Sequence, residues 1–393
     1  MSWDLEPQQR ELVTWARARA VQDLRPLAEA GTPGEVNRPL LRAMGELGLL
    51  GRLFPGYGPG EAAGAAGPGA HAELSREAAA FDLCLLREAL ARECTEAETA
   101  LALQGLGAYP ILQSGTDTQV RRWLPAVASG DAVAAFALTE PEAGSDAAAL
   151  ALAAERDGDG WRLTGTKVWI SNAPQADVYT VFARTTPGAG SRGVSAFVVP
   201  ADRAGLGGQS LDLLSPHPIG RLDFDGVRVG PDELLGEVDR GFAVAMRTLD
   251  LFRPSVGAFA VGMAAAALDA SVAHVRRRVA FGGPLADQQS VAHRLAEMAT
   301  RTQAARLLVY QAASAYDAGL PGVTSRAAMA KLTATETAQY VVDSAVQLHG
   351  ARALQRGHLL EHLYREVRAP RIYEGASEVQ LGIIARELLR DTD

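Results

Sequence analysis

The sequence predicts an α+β protein, mostly helical, in three successive parts: helices, a small β-barrel or sandwich, and a long helical bundle. Three observations predict it. Apolar residues recur at helical spacing through the first third. From Ala132 the period changes to short runs rich in Val, Phe, Trp and Thr, separated by Gly, Pro and Asp. After Gly241 long alanine-rich helical stripes return. A length of 393 residues exceeds what one core usually serves, and the parts are placed at 1–130, 131–235 and 236–393.

In order, residues 7–27 carry Leu12, Trp15, Val21 and Leu24 among many charges and predict a helix. Residues 39–50 predict a second. The stretch 51–69 is dense in Gly, Pro and Ala and reads as a mobile loop. Gly56, Gly58 and Gly60 do not make a phosphate loop there, since no strand precedes them and the G-x-G-x-x-G spacing fails at Ala63. Helices resume over 71–112, break at Gly115-Thr116, and end with 119–128. Strands are expected at 133–139, 160–171, 177–185, 193–200 and 221–229. In the last part Val291, Leu295, Met298, Thr302, Ala305 and Val309 form one stripe, and Ala334, Ala338, Val341, Ala345 and Leu348 another. Such stripes are core or subunit interface. Asp287 and Thr324 read as N-caps, while Gly319 and Gly350 fit just past helix C-terminal ends.

Net charge is −8, which argues against a nucleic-acid partner. Cys84 and Cys94 have neither metal-ligand spacing nor a disulfide framework, and fit a reducing, cytoplasmic compartment. The seven histidines show no ligand spacing, so no metal is expected. Residues 1–10 are acidic and polar, unlike a signal peptide. No apolar run reads as long enough to span a bilayer, so no membrane association is expected.

The stretch that invites chemistry is Arg371-Ile372-Tyr373-Glu374-Gly375-Ala376-Ser377-Glu378. Ser377-Glu378-Val379-Gln380 reads as a capping box opening a final helix over 379–389, and Pro370 should end the helix before. Glu374 then sits in a short connection between two helices. The positive helix terminus favours its carboxylate, while burial against Tyr373 favours the neutral acid. A Glu poised between those limits suits proton abstraction at neutral pH. A surface loop glutamate is the alternative.

Four further patterns join this one: Thr139-Glu140-Pro141-Glu142-Ala143-Gly144-Ser145-Asp146, Trp169-Ile170-Ser171-Asn172, Arg278-Val279-Ala280-Phe281-Gly282 with Gln289 following, and Gln347-Leu348-His349-Gly350. Together, over nearly the whole chain and in this order, they closely resemble the acyl-CoA dehydrogenase family of flavoproteins. The resemblance implies a C-terminal four-helix bundle and FAD as cofactor. Phe136, Leu138 and Thr139 match the family strand lining the flavin, and Trp169 and Ser171 its aromatic cover and the hydroxyl near N5. Ser145 lies in a turn whose backbone donors suit the pyrophosphate, and it also falls at the substrate. Arg278, Phe281 and Gln289 match residues reaching the FAD of a neighbouring subunit, so a homodimer or homotetramer is implied. Gln347 and Gly350 match the strip beside the adenosine, and Ala376 and Glu378 fall at cofactor positions. Asp250, Arg253, Tyr373 and Gly375 match the substrate end. Asp250 and Arg253 could equally be an exposed ion pair, and Arg253 could orient the Glu374 loop.

The reaction implied is α,β-dehydrogenation of an acyl-CoA thioester in fatty acid metabolism. Glu374 takes the α-proton, flavin N5 accepts the β-hydrogen as hydride, and the trans-2-enoyl thioester is released. The thioester oxygen is polarised by a ribityl hydroxyl and the Glu374 N–H. The implied electron acceptor is an electron-transfer flavoprotein. Some family members carry the base at the position of Phe252, which cannot abstract a proton here. Ala376 stands where a threonine often contacts the cofactor, and Ala351 replaces a common second glycine. His349 reads as packing or support within the cofactor strip. Three readings remain open: this dehydrogenase; a relative acting on an acyl-carrier-protein thioester or working as a flavin oxidase or monooxygenase; and a non-enzymatic binding protein.

Overall fold

The computed structural model describes residues 4–58 and 79–390. Most of the expected 51–69 loop, and the first turns of the helix expected over 71–112, lie outside the described residues. The elements in chain order are α1 (Pro7–Arg19), α2 (Arg25–Glu29), α3 (Arg38–Glu46), α4 (Ala80–Glu93), α5 (Thr95–Ser114) and α6 (Asp117–Ala128). Next come β1 (Ala134–Ala137), β2 (Ala153–Asp157), β3 (Gly160–Ser171), β4 (Val178–Arg184), β5 (Val194–Pro200), β6 (Leu206–Ser210), β7 (Ile219–Val229) and β8 (Leu234–Leu235). The chain continues with α7 (Gly241–Arg277), a hairpin of β9 (Val279–Ala280) and β10 (Gly283–Pro284), α8 (Gln289–Asp317), α9 (Val323–His349), α10 (Leu359–Glu366) and α11 (Ser377–Leu388). Helical segments thus flank a β module, as expected.

Two compact units form, each discontinuous in sequence. One comprises Met1–Gln22, Ala79–Glu98 and Asp250–Asp393, the other Asp23–Ala78 and Thr99–Leu249. The second unit is built on an eight-stranded sheet in the order β6-β7-β3-β2-β4-β5-β8, with β1 pairing parallel to β4. Leu163, Val181, Phe197, Val199 and Val227 alternate into its fully buried core, and Trp161 meets Phe197 edge-on at 5.3 Å. β2 and β6 escape sequence reading for a plain reason. Their sequences, AAERD and LGGQS, carry no apolar alternation, and β6 is an edge strand with most residues exposed.

In the first unit α9 packs against α8, α10 and α11, α8 against α4, and α4 against α1. Small side chains permit the close approach. Ala327, Ala328, Ala330, Ala334 and Ala338 are buried on α9, and a Cβ on Gly257 would stand 2.7 Å from Val309 Cγ2.

Several local expectations are corrected. The expected helix over 7–27 passes through a π-helical turn at Ala20–Leu24, and that over 71–112 is interrupted at Cys94, whose backbone is extended. Ser377 is not the N-cap of α11 but its first helical residue; its hydroxyl donates instead to Glu336 Oε1 at 2.7 Å, a tertiary partner that outcompetes the local one. Thr324 likewise lies inside α9 and donates to Asp250 Oδ2 at 3.2 Å, the N-cap being Gly322. Asp287 belongs to a 3-10 turn ahead of Gln288, the N-cap of α8. Pro370 sits buried in a separate 3-10 turn, the preceding helix having ended at Glu366. Gly319 and Gly350 do follow helix ends with positive φ, of 60° and 64°. Among the described residues one helix, Gly241–Arg277, is long and apolar enough to cross a membrane, contrary to expectation. Its apolar window is 72% buried inside the protein, which is the signature of a core helix.

Candidate active site

Glu374 stands in the connection between the 3-10 turn Ala369–Arg371 and α11, as the sequence requires. Its φ is 51° and that of Gly375 is 94°, two consecutive left-handed residues, the first of them not glycine. Such a conformation persists only when neighbours impose it. Two do. Gln380, wholly buried on α11, donates from Nε2 to the Glu374 carbonyl at 3.2 Å and the Gly375 carbonyl at 2.9 Å. Lys331, 0% exposed on α9, donates from Nζ to the same Gly375 carbonyl at 2.7 Å. With its carbonyls tied back, the loop leaves the Glu374 N–H without a hydrogen-bond acceptor among the described residues. The glycine is required here. A Cβ at 375 would lie 2.3 Å from Gln380 Nε2 in a left-handed backbone. Gly375→Ala is therefore expected to lower stability by about 1–2 kcal/mol and turnover on the order of tenfold or more, because the carboxylate shifts with the loop; thermal melting and kcat on the same preparation check both.

The Glu374 side chain is half-buried, and its Oε2 is sealed from solvent with no protein partner. Burial pushes the carboxyl above its ordinary range, and Arg87, Lys331 and Arg253 pull it back without cancelling the effect. Burial likewise holds the Tyr373 phenol well above its ordinary value. Arg87 on α4 donates to Glu98 and, at 2.6 Å, to Ser255 Oγ; the pair is 2% and 1% exposed. Arg253 donates to Asp250 Oδ1 at 3.0 Å. The alternative of an exposed Asp250–Arg253 pair does not hold, since Arg253 is buried and its Nε has no partner. Burial raises the Asp250 carboxyl, and Arg253 and Thr324 restrain it. Phe252 is buried in the same helix.

The second unit gathers the residues assigned to the flavin face. β1 ends beside β3, where the Val168 N–H donates to the Thr139 carbonyl at 3.0 Å and buried Lys167 donates to the Leu138 carbonyl at 2.8 Å and to Glu140 at 2.7 Å. Trp169 sits at an irregularity in β3, with φ 58° and 52% of its surface exposed. A large aromatic in a left-handed conformation, held out from a strand between buried Lys167 and Ile170, is a platform for a planar ring. Thr139 and Ser171 are half-buried, Leu138 is buried, and Phe136 packs on Phe182 at 4.8 Å. Ser145 is exposed on the bend after the Glu140–Ala143 turn. These residues fit a flavin.

The remaining cofactor candidates belong to the first unit. Arg278, exposed, precedes the β9–β10 hairpin, whose turn residues Phe281 and Gly282 both have positive φ. Phe281 is 91% exposed, and Gln289 is exposed at the first position of α8. Gln347 and Gly350 are exposed at the end of α9. Ala376 is the N-cap of α11, and Glu378 is exposed in its first turn. His349 packs, its ring stacked on His274 at 4.1 Å and its Nδ1 2.8 Å from the Ala345 carbonyl. Sequence reasoning missed Arg87, Lys331, Lys167 and Gln380. Lys331 had a visible signal, a lone charge in the apolar run Ala327-Ala328-Met329-Ala330-Lys331-Leu332.

The chain matches the acyl-CoA dehydrogenase N-terminal domain over residues 6–131, the middle domain over 135–227 and the C-terminal domain over 239–389. It is 35% identical to the cyclohexane-1-carbonyl-CoA dehydrogenase of Geobacter metallireducens over 367 residues, 93% of this chain and 92% of that one. Its fold superposes on butyryl-CoA dehydrogenase from Megasphaera elsdenii with a TM-score of 0.89 and 33% identity, covering 99% and 100% of the two chains. A chain in the structure of the electron transferring flavoprotein of Acidaminococcus fermentans gives a TM-score of 0.90 and 33% identity over 100% of both. The chain belongs to the acyl-CoA dehydrogenase family. It is an oxidoreductase that dehydrogenates an acyl-CoA.

Proposed function

We propose that Glu374 is the base of this dehydrogenase and that FAD is its cofactor. The observation that carries the reading is the Glu374 carboxylate oxygen, buried, without a protein partner, and displayed on a loop tied down by Lys331 and Gln380. A thioester α-proton is too weakly acidic for an unaided carboxylate. The unsatisfied Glu374 N–H is suited to donate to the thioester oxygen and stabilise charge developing there. FAD, when bound, would supply the hydride acceptor for the β-hydrogen. Trp169, Thr139 and Ser171 would bind and orient that ring, the turn at Ser145 would offer donors to its phosphate, and Arg278 would reach the phosphate held by a neighbouring subunit. Tyr373 and Gly375 flank the reacting carboxylate, and Arg253 with Asp250 completes the polar substrate end. Because the Glu374 carboxyl is raised, the active carboxylate is lost as pH falls through that raised value. The rate therefore rises with pH on an acid limb lying above the ordinary glutamate range.

The names of the relatives, cyclohexane-1-carbonyl-CoA and butyryl-CoA dehydrogenase, support a CoA thioester over a carrier-protein thioester. The Acidaminococcus structure supports an electron-transfer flavoprotein as acceptor. Exposed Arg278, Phe281 and Gln289 support a homodimer or homotetramer in which they complete a neighbour's cofactor site. Cys84 and Cys94, both buried and neither in a disulfide, support a reducing cytoplasmic setting. The test is direct. Purified protein is expected to release non-covalent FAD on denaturation, about one per chain, and to bleach anaerobically with acyl-CoA. Arg278→Ala is expected to lose FAD more readily on dilution. FMN, or no flavin after reconstitution, would overturn the reading; so would a flavin-saturated, fully active monomer for the assembly.

A further inference from the structure

Three cations surround Glu374 from three helices: Arg87 on α4, Arg253 on α7 and Lys331 on α9. Arg87 is matched by Glu98, and Arg253 by Asp250. Lys331 makes no ion pair with a carboxylate among the described residues, although it is completely buried. Glu336, which also faces it, is already bonded to Arg371 at 2.9 Å and to Ser377 at 2.7 Å, and Glu378 is exposed. Burying an unmatched ammonium is costly, so its retention asks for a compensating role. Its one hydrogen bond goes to the Gly375 carbonyl, the peptide adjoining Glu374.

We infer that Lys331 is a positioning residue for the reaction, one that pins the left-handed Glu374–Gly375 loop and adds, to the field of Arg87 and Arg253 on the Glu374 carboxylate, the one buried charge of the three with no carboxylate ion pair of its own among the described residues. This rests on Glu374 being the base. The two parts of the role are separable because Gln380 shares the first but not the second: it donates to the same carbonyl and carries no charge. The ionic state of Lys331 follows from the same surroundings. Burial pushes its ammonium down to about 8, against the pull of Glu374 and the further push of Arg253. At neutral pH it remains mostly protonated and acts on Glu374 as a cation.

The experiment compares Lys331→Met, Lys331→Gln and Gln380→Leu with the parent holoenzyme by anaerobic stopped-flow bleaching of the flavin across pH. All three are expected to slow bleaching on the order of tenfold to a hundredfold, since each loosens the loop. Only the Lys331 variants should move the acid limb, upward by about one pH unit or more, because a neighbouring opposite charge has been removed. A non-oxidisable thioether analogue should still perturb the flavin spectrum in every variant, showing that binding survives. If Lys331→Met does not accumulate as folded protein, Lys331→Gln, with a polar head for the buried site, carries the same expectation. A Lys331 variant that is slow but keeps the parent's acid limb, as Gln380→Leu should, overturns the electrostatic role. A parent that bleaches with no acyl thioester brings down the assignment of the base itself, which is a distinct failure.

Discussion

Glu374→Gln should abolish flavin bleaching while leaving binding intact. The substitution keeps side-chain size and hydrogen-bonding capacity and removes the base. The cations and rings beside it cannot substitute. Arg87, Arg253 and Lys331 are cations at neutral pH, the Tyr373 phenol is held well above its ordinary range, and Phe252 has no proton acceptor. The loop geometry depends on backbone carbonyls tied by Gln380 and Lys331, not on the carboxylate, so the Glu374 N–H stays in place. Loss of a general base costs on the order of a hundred- to ten-thousand-fold, and an acid as weak as a thioester α-carbon belongs at the upper end. Anaerobic stopped-flow at saturating acyl-CoA measures it. A variant that bleaches within a few-fold of the parent would remove Glu374 from the mechanism.

The largest effect on stability should come from Arg87→Leu. Arg87 and Glu98 form an ion pair almost wholly removed from water, and Ser255 completes the guanidinium's partners. Burial works against the charged guanidinium, and Glu98 foremost among its neighbours outweighs that cost. Removing only the arginine takes the guanidinium away from the Glu98 carboxylate in a dry interior, at a cost of about 3–5 kcal/mol. Replacing both, as Arg87→Leu with Glu98→Leu, should recover most of that loss, since a buried pair exchanged for apolar residues is close to neutral. Thermal melting of the two single variants and the double variant forms the cycle that measures the coupling. A single variant as stable as the parent would mean that water reaches Glu98. The same substitution has a kinetic signature. Arg87 is the foremost of the cations restraining the Glu374 carboxyl, so its removal should shift the acid limb of bleaching upward.

The sequence by itself determined the order of elements, because hydrophobic period is a local property. β3 is found at Gly160–Ser171 as expected, and β4, β5 and β7 lie within two residues of their expected bounds. It also determined the place of Glu374 in the connection ahead of the last helix, since an acid before a glycine between two helices leaves little freedom. The tertiary structure decided what has no local signature. Ser377 and Thr324 have the right chemistry for N-caps, yet Glu336 and Asp250, both more than 40 residues away in sequence, claim their hydroxyls. β2 and β6 are strands only because neighbours pair with their backbones. Above all, the environment of Glu374 was set by tertiary folding. Arg87, Lys331 and Gln380 come from three different helices, and burial, which no residue possesses alone, both raises the Glu374 carboxyl and gives the charges around it their strength.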